Sequence, residues 1–86
     1  MDPFKVLKYS HMTEKSISLV ERENKLVFIV NRKYTKNQIK QAFEEAFNVK
    51  IQNINTLITR SGEKKAFIKL KPEYHAADVA VKLGII

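Results

Sequence analysis

Residues Lys64 to Lys71 read Lys-Lys-Ala-Phe-Ile-Lys-Leu-Lys, a strand pattern with two different faces. Because side chains alternate along a strand, Ala66, Ile68 and Leu70 share one face, which predicts burial against a core. The other face carries three ammonium groups and one aromatic ring, on Lys65, Phe67, Lys69 and Lys71. That face is either a solvated lysine surface whose Phe packs under a neighbouring element, or a surface that binds a polyanion.

A second strand and a turn precede this stretch and predict a hairpin. Residues Val49 to Thr59 have the composition of a long strand, and Arg60 to Glu63 form a tight connection in which Gly62 supplies a positive φ. The apolar phase changes near Gln52 and Asn53, which predicts a β-bulge there.

Two further elements have clear patterns. Lys25 to Val30 is a continuous apolar run, which is typical of a strand buried on both faces by helices or by a partner. Thr35 and Gln38 have the spacing of a capping box and predict the start of a helix that ends at Asn48. One stripe of that helix is apolar: Ile39, Ala42, Phe43, Ala46 and Phe47.

Short helices are predicted near both ends of the chain. Thr13 is a candidate N-cap for a helix that ends between Glu21 and Asn24. The small apolar residues from Ala76 to Leu83 indicate a last helix, with Gly84 at its C′ position.

The element order is roughly α-β-α-β-β-α, which predicts an α+β fold. We expect an antiparallel sheet of three or four strands with packed helices, α/β-plait-like in arrangement, in which residues 4–8 supply an optional edge strand. Residues 1–12 are interpreted as an extended N-terminal arm and residues 13–86 as a single RNA-binding α/β domain.

The composition excludes several function classes. The chain has no cysteine, and no run approaches the roughly 18 apolar residues of a membrane span, so no disulfide framework and no membrane insertion are expected. His11 and His75 stand far apart without a spaced acid, and two glycines are too few for a phosphate-binding loop. The sequence therefore predicts no enzyme, no metal site, no cofactor and no small-molecule substrate.

The net charge of +7, with a pI near 9.8, favours nucleic acid as the partner. Basic residues cluster at the start of the second helix and along the hairpin, with amide and hydroxyl side chains between them that suit RNA backbone contacts. The predicted RNA-binding residues are Arg32, Lys33, Lys36, Lys40, Asn55, Thr56, Thr59, Arg60, Lys64, Lys65, Phe67, Lys69 and Lys71. Phe67 either stacks on a base or packs internally.

The strand from Lys64 to Lys71, followed by Val79, resembles the signature of the large-subunit ribosomal protein L23 family. The matching stretches, which cover nearly the whole chain in order, also include Thr13-Glu14-Lys15, Leu26 to Val30, Ile39-Lys40, Ala42 to Glu44, Val49 to Ile51, Asn55 to Leu57, Tyr74, Ala76, Asp78, Ala80 and Leu83-Gly84.

The resemblance implies binding to large-subunit rRNA at the rim of the polypeptide exit tunnel. It also implies docking of nascent-chain factors, chiefly the signal recognition particle and the protein-conducting channel, beside neighbouring ribosomal proteins. Bacterial relatives use the Glu of the Ser/Thr-Glu-Lys motif to dock trigger factor, which makes Glu14 and Lys15 the partner-docking candidates. The minimal turn at Arg60 to Glu63 lacks the long bacterial extension, so the chain is similar to the archaeal type.

The sequence thus predicts a structural constituent of the large ribosomal subunit, ribosome-bound in the cytoplasm. The alternative is a free-standing protein-interaction module that uses the acidic short helix around Glu14. A third reading, binding to an anionic membrane surface, lacks the amphipathic basic helix that would support it.

Overall fold

The computed structural model describes residues 3–11 and 13–84 of the 86-residue chain. In chain order its elements are α1 (Pro3–Val6), β1 (Leu7–Ser10), α2 (Glu14–Glu23), β2 (Lys25–Val30), α3 (Lys36–Phe47), β3 (Ile51–Ile58), β4 (Lys64–Leu70) and α4 (Ala76–Leu83). No helix within these described residues is long and apolar enough to cross a membrane.

The four strands form one antiparallel sheet in the order β1-β2-β4-β3, so the predicted α+β, plait-like architecture is confirmed. β4 lies between β2 and β3, which gives the lysine-rich strand a central position in the sheet. The register between β3 and β4 shifts between Ile51 and Asn53, and this irregularity confirms the bulge expected near Gln52.

The first residues differ from the extended arm expected for them. Pro3–Val6 form one helical turn, and only Leu7–Ser10 are extended, as an edge strand paired with β2. This edge strand begins three residues later than residues 4–8 would place it, because buried Val6 packs into the core as part of the turn. Positions 1, 2 and 12 of the proposed arm lie outside the described residues.

α3 begins with the predicted capping box. The Thr35 hydroxyl accepts a hydrogen bond from the Gln38 backbone N–H at 3.3 Å, and the Gln38 side-chain oxygen accepts one from the Thr35 N–H at 2.9 Å. The helix ends where Asn48 adopts a left-handed conformation with φ of 55°. Both ends therefore lie where the sequence places them.

The core lies between α3, α4 and one face of the sheet. Phe43 on α3 is fully buried, and its ring contacts Phe28 on β2 edge-on, with 5.6 Å between the centroids. Phe47 extends this aromatic cluster at 4.7 Å from Phe43. Aromatic pairs prefer particular ring orientations in addition to burying apolar area, so these contacts fix the position of α3 on the sheet.

Asn24 joins the end of α2 to the start of α4. Its side-chain oxygen accepts a hydrogen bond from the Ala76 N–H at 2.6 Å, while its amide group donates to the carbonyls of Tyr74 at 2.8 Å and Leu70 at 3.3 Å. Asn24 itself is left-handed, with φ of 56°. One residue thus ends α2 and satisfies a backbone donor in the first turn of α4.

The helices α3 and α4 pack on one face of the sheet and leave the opposite face without a complete helical layer. Core residues on the covered face include Leu26, Phe28 and Ile68. On the other face Val27 and Ile29 are still only 5% and 2% exposed, although no helix of the core layer lies over them. The burial of β2 on both faces, predicted from its apolar run, is confirmed. α2 supplies part of the second cover, since Ser16, Ile17 and Leu19 line pockets beside Val27.

Candidate nucleic-acid interface

The face of the sheet opposite α3 and α4, here called the open face, is built by residues that the strand register places side by side. Its members are Tyr9, Lys25, Val27, Ile29, Asn53, Asn55, Leu57, Lys65, Phe67 and Lys69. They form three rows across the strands, because directly opposed residues of paired strands point to the same face.

The middle row contains the aromatic ring. Phe67 lies directly opposite Val27 on β2 and Asn55 on β3. Phe67 is half-buried, Val27 is buried and Asn55 is exposed, so the row changes from apolar to polar across the sheet. An aromatic ring beside an exposed amide is suited to stacking combined with hydrogen bonding.

Lysines stand in the rows on either side of Phe67. Lys65 lies opposite Ile29 and Leu57, and the Leu57 side chain is 46% exposed. Lys69 lies opposite Lys25 on one side and Asn53 on the other. The open face therefore carries an apolar centre with ammonium groups on both sides of it.

The pair of Lys25 and Lys69 places two like charges directly opposite each other, an arrangement that is unfavourable in the absence of an anion. Lys25 is 3.3 Å from the carboxylate of Glu23, and this is the ion pair found among residues 3–11 and 13–84. Lys69 has no such neighbour within that part of the chain. The row consequently keeps a net positive charge.

The two basic clusters predicted from the sequence meet at one end of the sheet. The Lys64 ammonium group donates a hydrogen bond of 2.7 Å to the Tyr34 carbonyl, which joins the start of β4 to the loop before α3. The Arg32 guanidinium lies beside Gly62, 3.5 Å from where a Cβ at that position would stand, so the loop lies next to the hairpin. The Lys33 ammonium group lies 5.3 Å from the centroid of the Tyr34 ring, a cation–π distance.

The structure separates other predicted residues from the open face. Thr56 lies opposite Ala66, on the face covered by helices, whereas its neighbour Asn55 is on the open face. Lys36 and Lys40 are exposed on α3, in the layer behind the sheet. The thirteen predicted RNA-binding residues are thus distributed over two sides of the molecule.

The hairpin residues are held by local hydrogen bonds. The Thr59 hydroxyl accepts from the Glu63 N–H at 3.2 Å and lies 2.9 Å from the Ser61 hydroxyl, so its polar groups serve the turn. Arg60 is exposed at the tip, and Lys71 is exposed just beyond the end of β4. The guanidinium and the ammonium group are therefore accessible to a ligand.

Sequence reasoning missed Tyr9, whose hydroxyl donates a hydrogen bond of 2.5 Å to the Glu63 carboxylate. That hydrogen bond, assisted by some burial and by the negative charge of Glu63, raises the pKa of the Tyr9 phenol. Lys25 was missed as well. The alternation of side chains along β2 could have placed Lys25 on the same face as Val27 and Ile29. Tyr9 and Glu63, in contrast, are 54 positions apart, and no local pattern connects them.

The partner-docking candidates Glu14 and Lys15 are exposed in the first turn of α2. Thr13 caps this helix, as predicted, and forms a capping box with Ser16: the Ser16 N–H donates to the Thr13 hydroxyl at 3.1 Å, and the Thr13 N–H donates to the Ser16 hydroxyl at 2.8 Å. Glu14 therefore stands at a rigid helix start, where its charge also suits the helix dipole.

Comparison with known proteins agrees with the resemblance seen in the sequence. Residues 5–84 match the family model described as Ribosomal protein L23. The chain is 49% identical to the large ribosomal subunit protein uL23 of Methanothermobacter thermautotrophicus, and 52% identical to those of Methanococcus aeolicus and Methanococcus vannielii. Each match covers 99% of both chains. The predictions of a non-enzymatic ribosomal protein and of an archaeal type are confirmed, and the chain belongs to the ribosomal protein L23 family.

Proposed function

We propose that this protein is a structural constituent of the large ribosomal subunit that binds large-subunit rRNA through the open face and the adjoining basic loops. The observation that carries the proposal is the register of β4, which sets Phe67 between Lys65 and Lys69 on the face of the sheet opposite α3 and α4. The names of its relatives, large ribosomal subunit proteins, support the same assignment.

The chemistry of the open face suits folded RNA. The ammonium groups of Lys65 and Lys69 neutralise phosphates, and the exposed amide of Asn55 contacts a base edge or a 2′-hydroxyl. Arg32 and Arg60 extend the positive charge around the hairpin end of the sheet. The net charge of +7 adds a long-range attraction that speeds encounter with a polyanion.

The residues behind the sheet take part in a second contact. Lys36 and Lys40 on α3 face away from the open face, so they meet a different rRNA segment or serve a neighbouring ribosomal protein. This arrangement accommodates both groups of predicted residues.

We infer the finer assignments from the resemblance to the family. We place the protein, ribosome-bound in the cytoplasm, at the rim of the polypeptide exit tunnel, where it forms part of a docking site for the signal recognition particle and the protein-conducting channel. Glu14 and Lys15 are the docking residues, because both are exposed at a helix start that the Thr13 capping box makes rigid. A Glu14→Gln variant assembled into ribosomes is expected to bind the particle more weakly, with its rRNA contacts unchanged.

The absence of cysteine from the chain gives a direct test of the RNA-binding face. A single cysteine at Asn55, on the open face, or at Val81, 61% exposed on α4, can carry a tethered cleavage reagent. In the complex with large-subunit rRNA, we expect strand cleavage from position 55 and much less from position 81. Cleavage from 81 with none from 55 would contradict the assignment, and no binding to rRNA would favour the free-standing interaction module around Glu14.

A further inference from the structure

A narrow groove of about 90 Å³ runs between α2 and the open face. It is lined by His11, Thr13, Lys15, Ser16, Leu19, Val27, Lys65 and Phe67. It therefore joins residues from the predicted docking helix to residues from the predicted RNA-binding strand. In the sequence these residues belong to two separate predicted sites.

The floor of the groove is apolar. Val27 is 5% exposed, while Leu19 and Phe67 are half-buried beside it, so each of these two side chains presents part of its surface to the groove. The Phe67 ring is thus packed against the protein on one side and still offers an accessible surface on the other. A flat apolar group can rest against that surface.

The rim of the groove is basic. Lys15 on α2 and Lys65 on β4 both line it, and none of its described lining residues is acidic. The hydroxyls are already engaged, because Ser16 donates to the His11 carbonyl at 2.7 Å and Thr13 accepts from the Ser16 N–H. The groups left for a ligand are thus two ammonium groups and the imidazole of His11, above an apolar floor.

We propose that this groove receives one unstacked nucleotide of the bound RNA, an inference that rests on the proposed function. The base lies against Phe67 and Leu19, and the phosphates on either side of it pair with Lys15 and Lys65. An unpaired nucleotide combines an apolar flat face with flanking negative charge, and the groove has the complementary combination. An apolar side chain of a protein partner would match the floor but would leave the basic rim without a counter-charge.

The geometry also limits what can enter. A volume of about 90 Å³ suits a single flat group and excludes a helix or a double-stranded segment. The walls are fixed by the Thr13–Ser16 capping box on one side and by β4, a central strand, on the other. The groove is consequently preorganised for one inserted base, which reduces the entropy lost on binding.

Filling the groove gives a test that leaves every charge in place. In Leu19→Phe the larger ring occupies the space of the base, and Val81→Phe adds the same ring on the exposed side of α4 as a matched control. Relative to the unmodified protein, Leu19→Phe is expected to bind large-subunit rRNA about tenfold more weakly, with an unchanged dependence of affinity on salt concentration. Val81→Phe is expected to bind as the unmodified protein does.

A second measurement locates the nucleotide. Ultraviolet crosslinking of the complex, followed by mass spectrometry, is expected to find a nucleotide adduct on the peptide that contains Phe67. The conservative variant Phe67→Leu keeps the apolar volume and is expected to lose that adduct, and Lys15→Gln is expected to lower the salt slope by about one unit. Both variants remain informative if the larger ring of Leu19→Phe disturbs folding.

The outcomes distinguish a failure of the groove proposal from a failure of the proposed function. The groove proposal is overturned if Leu19→Phe keeps full rRNA affinity and the unmodified protein forms nucleotide adducts elsewhere but none at Phe67. The open face then remains the RNA-binding surface. Loss of signal recognition particle binding in Leu19→Phe, with rRNA binding intact, overturns it in favour of a protein side chain. Failure of the unmodified protein to bind rRNA overturns the proposed function, and the groove proposal with it.

Discussion

The ammonium group of Lys64 donates a hydrogen bond of 2.7 Å to the backbone carbonyl of Tyr34, 30 positions earlier in the chain. This contact fastens the loop before α3 to the first residue of β4. Lys64 lies on the helix-covered face, so its predicted role in RNA binding is to position the basic loop and not to contact RNA from the open face.

Replacement of Lys64 by Met is expected to lower the free energy of unfolding by about 1 kcal/mol, because it removes a charge-assisted hydrogen bond from a half-buried site and keeps the apolar stem. Lys65→Met, one position later with no such bond, is the control and is expected to change stability by less than about 0.5 kcal/mol. Chemical denaturation measures both. Equal effects would show that the Tyr34 contact contributes nothing.

Asn24 and Asn48 each end an α-helix in the left-handed backbone conformation. A comparison of the two isolates what the Asn24 side chain contributes to stability. Both residues have φ near 55°, but only Asn24 has side-chain hydrogen bonds to another helix start. Asn24→Gly is expected to cost about 2 kcal/mol, since the Ala76 N–H loses its partner. Asn48→Gly is expected to be neutral within about 0.5 kcal/mol, because glycine adopts this conformation freely.

Thermal and chemical unfolding of the two variants checks this difference. Similar losses at both positions would mean that the backbone conformation, and not the Asn24 side chain, limits stability.

The hydrogen bond from Tyr9 to Glu63 has a signature at high pH. The pKa of Tyr9 is raised in the folded protein, so its contribution to stability is present below the ordinary value of about 10 and is lost as pH rises through the folded-state value. In a spectrophotometric titration of the three tyrosines, we expect one to ionise later than an ordinary tyrosine. Glu63→Ala should return it to the ordinary range, and Glu73→Ala should not.

Salt dependence distinguishes the lysines that contact phosphate. Lys65→Gln and Lys69→Gln are each expected to reduce the slope of log affinity against log salt concentration by about one unit, because each removes one released counterion. Lys82→Gln, exposed on α4 behind the sheet, is expected to leave the slope unchanged. A slope that falls equally in all three variants would indicate that net charge, and not the open face, governs binding.

Local patterns were sufficient for most of the fold. The α3 capping box, the buried β2, the bulge near Gln52 and the hairpin each depend on neighbouring residues, so a single sequence contains their signals. The short turn at Pro3–Val6 was missed because four residues carry no periodicity.

The candidate site was predictable only in part, because register and long-range contacts decide it. Composition identified Lys65, Phe67 and Lys69, but the separation of Asn55 from Thr56 required the strand pairing to be known. The groove that joins Lys15 to Lys65 depends on how α2 sits beside the sheet, and residues 50 positions apart leave no shared pattern in one sequence.

The opposed lysines Lys25 and Lys69 have a consequence for assembly. If the open face binds RNA as proposed, a phosphate beside these two lysines offsets their repulsion, and RNA binding then stabilises the folded protein. Polyanions, and to a lesser degree simple salt, should therefore raise the melting temperature of the free chain. On the proposed function, the protein is then more stable when bound to rRNA than when free, and unassembled copies are the ones more readily degraded.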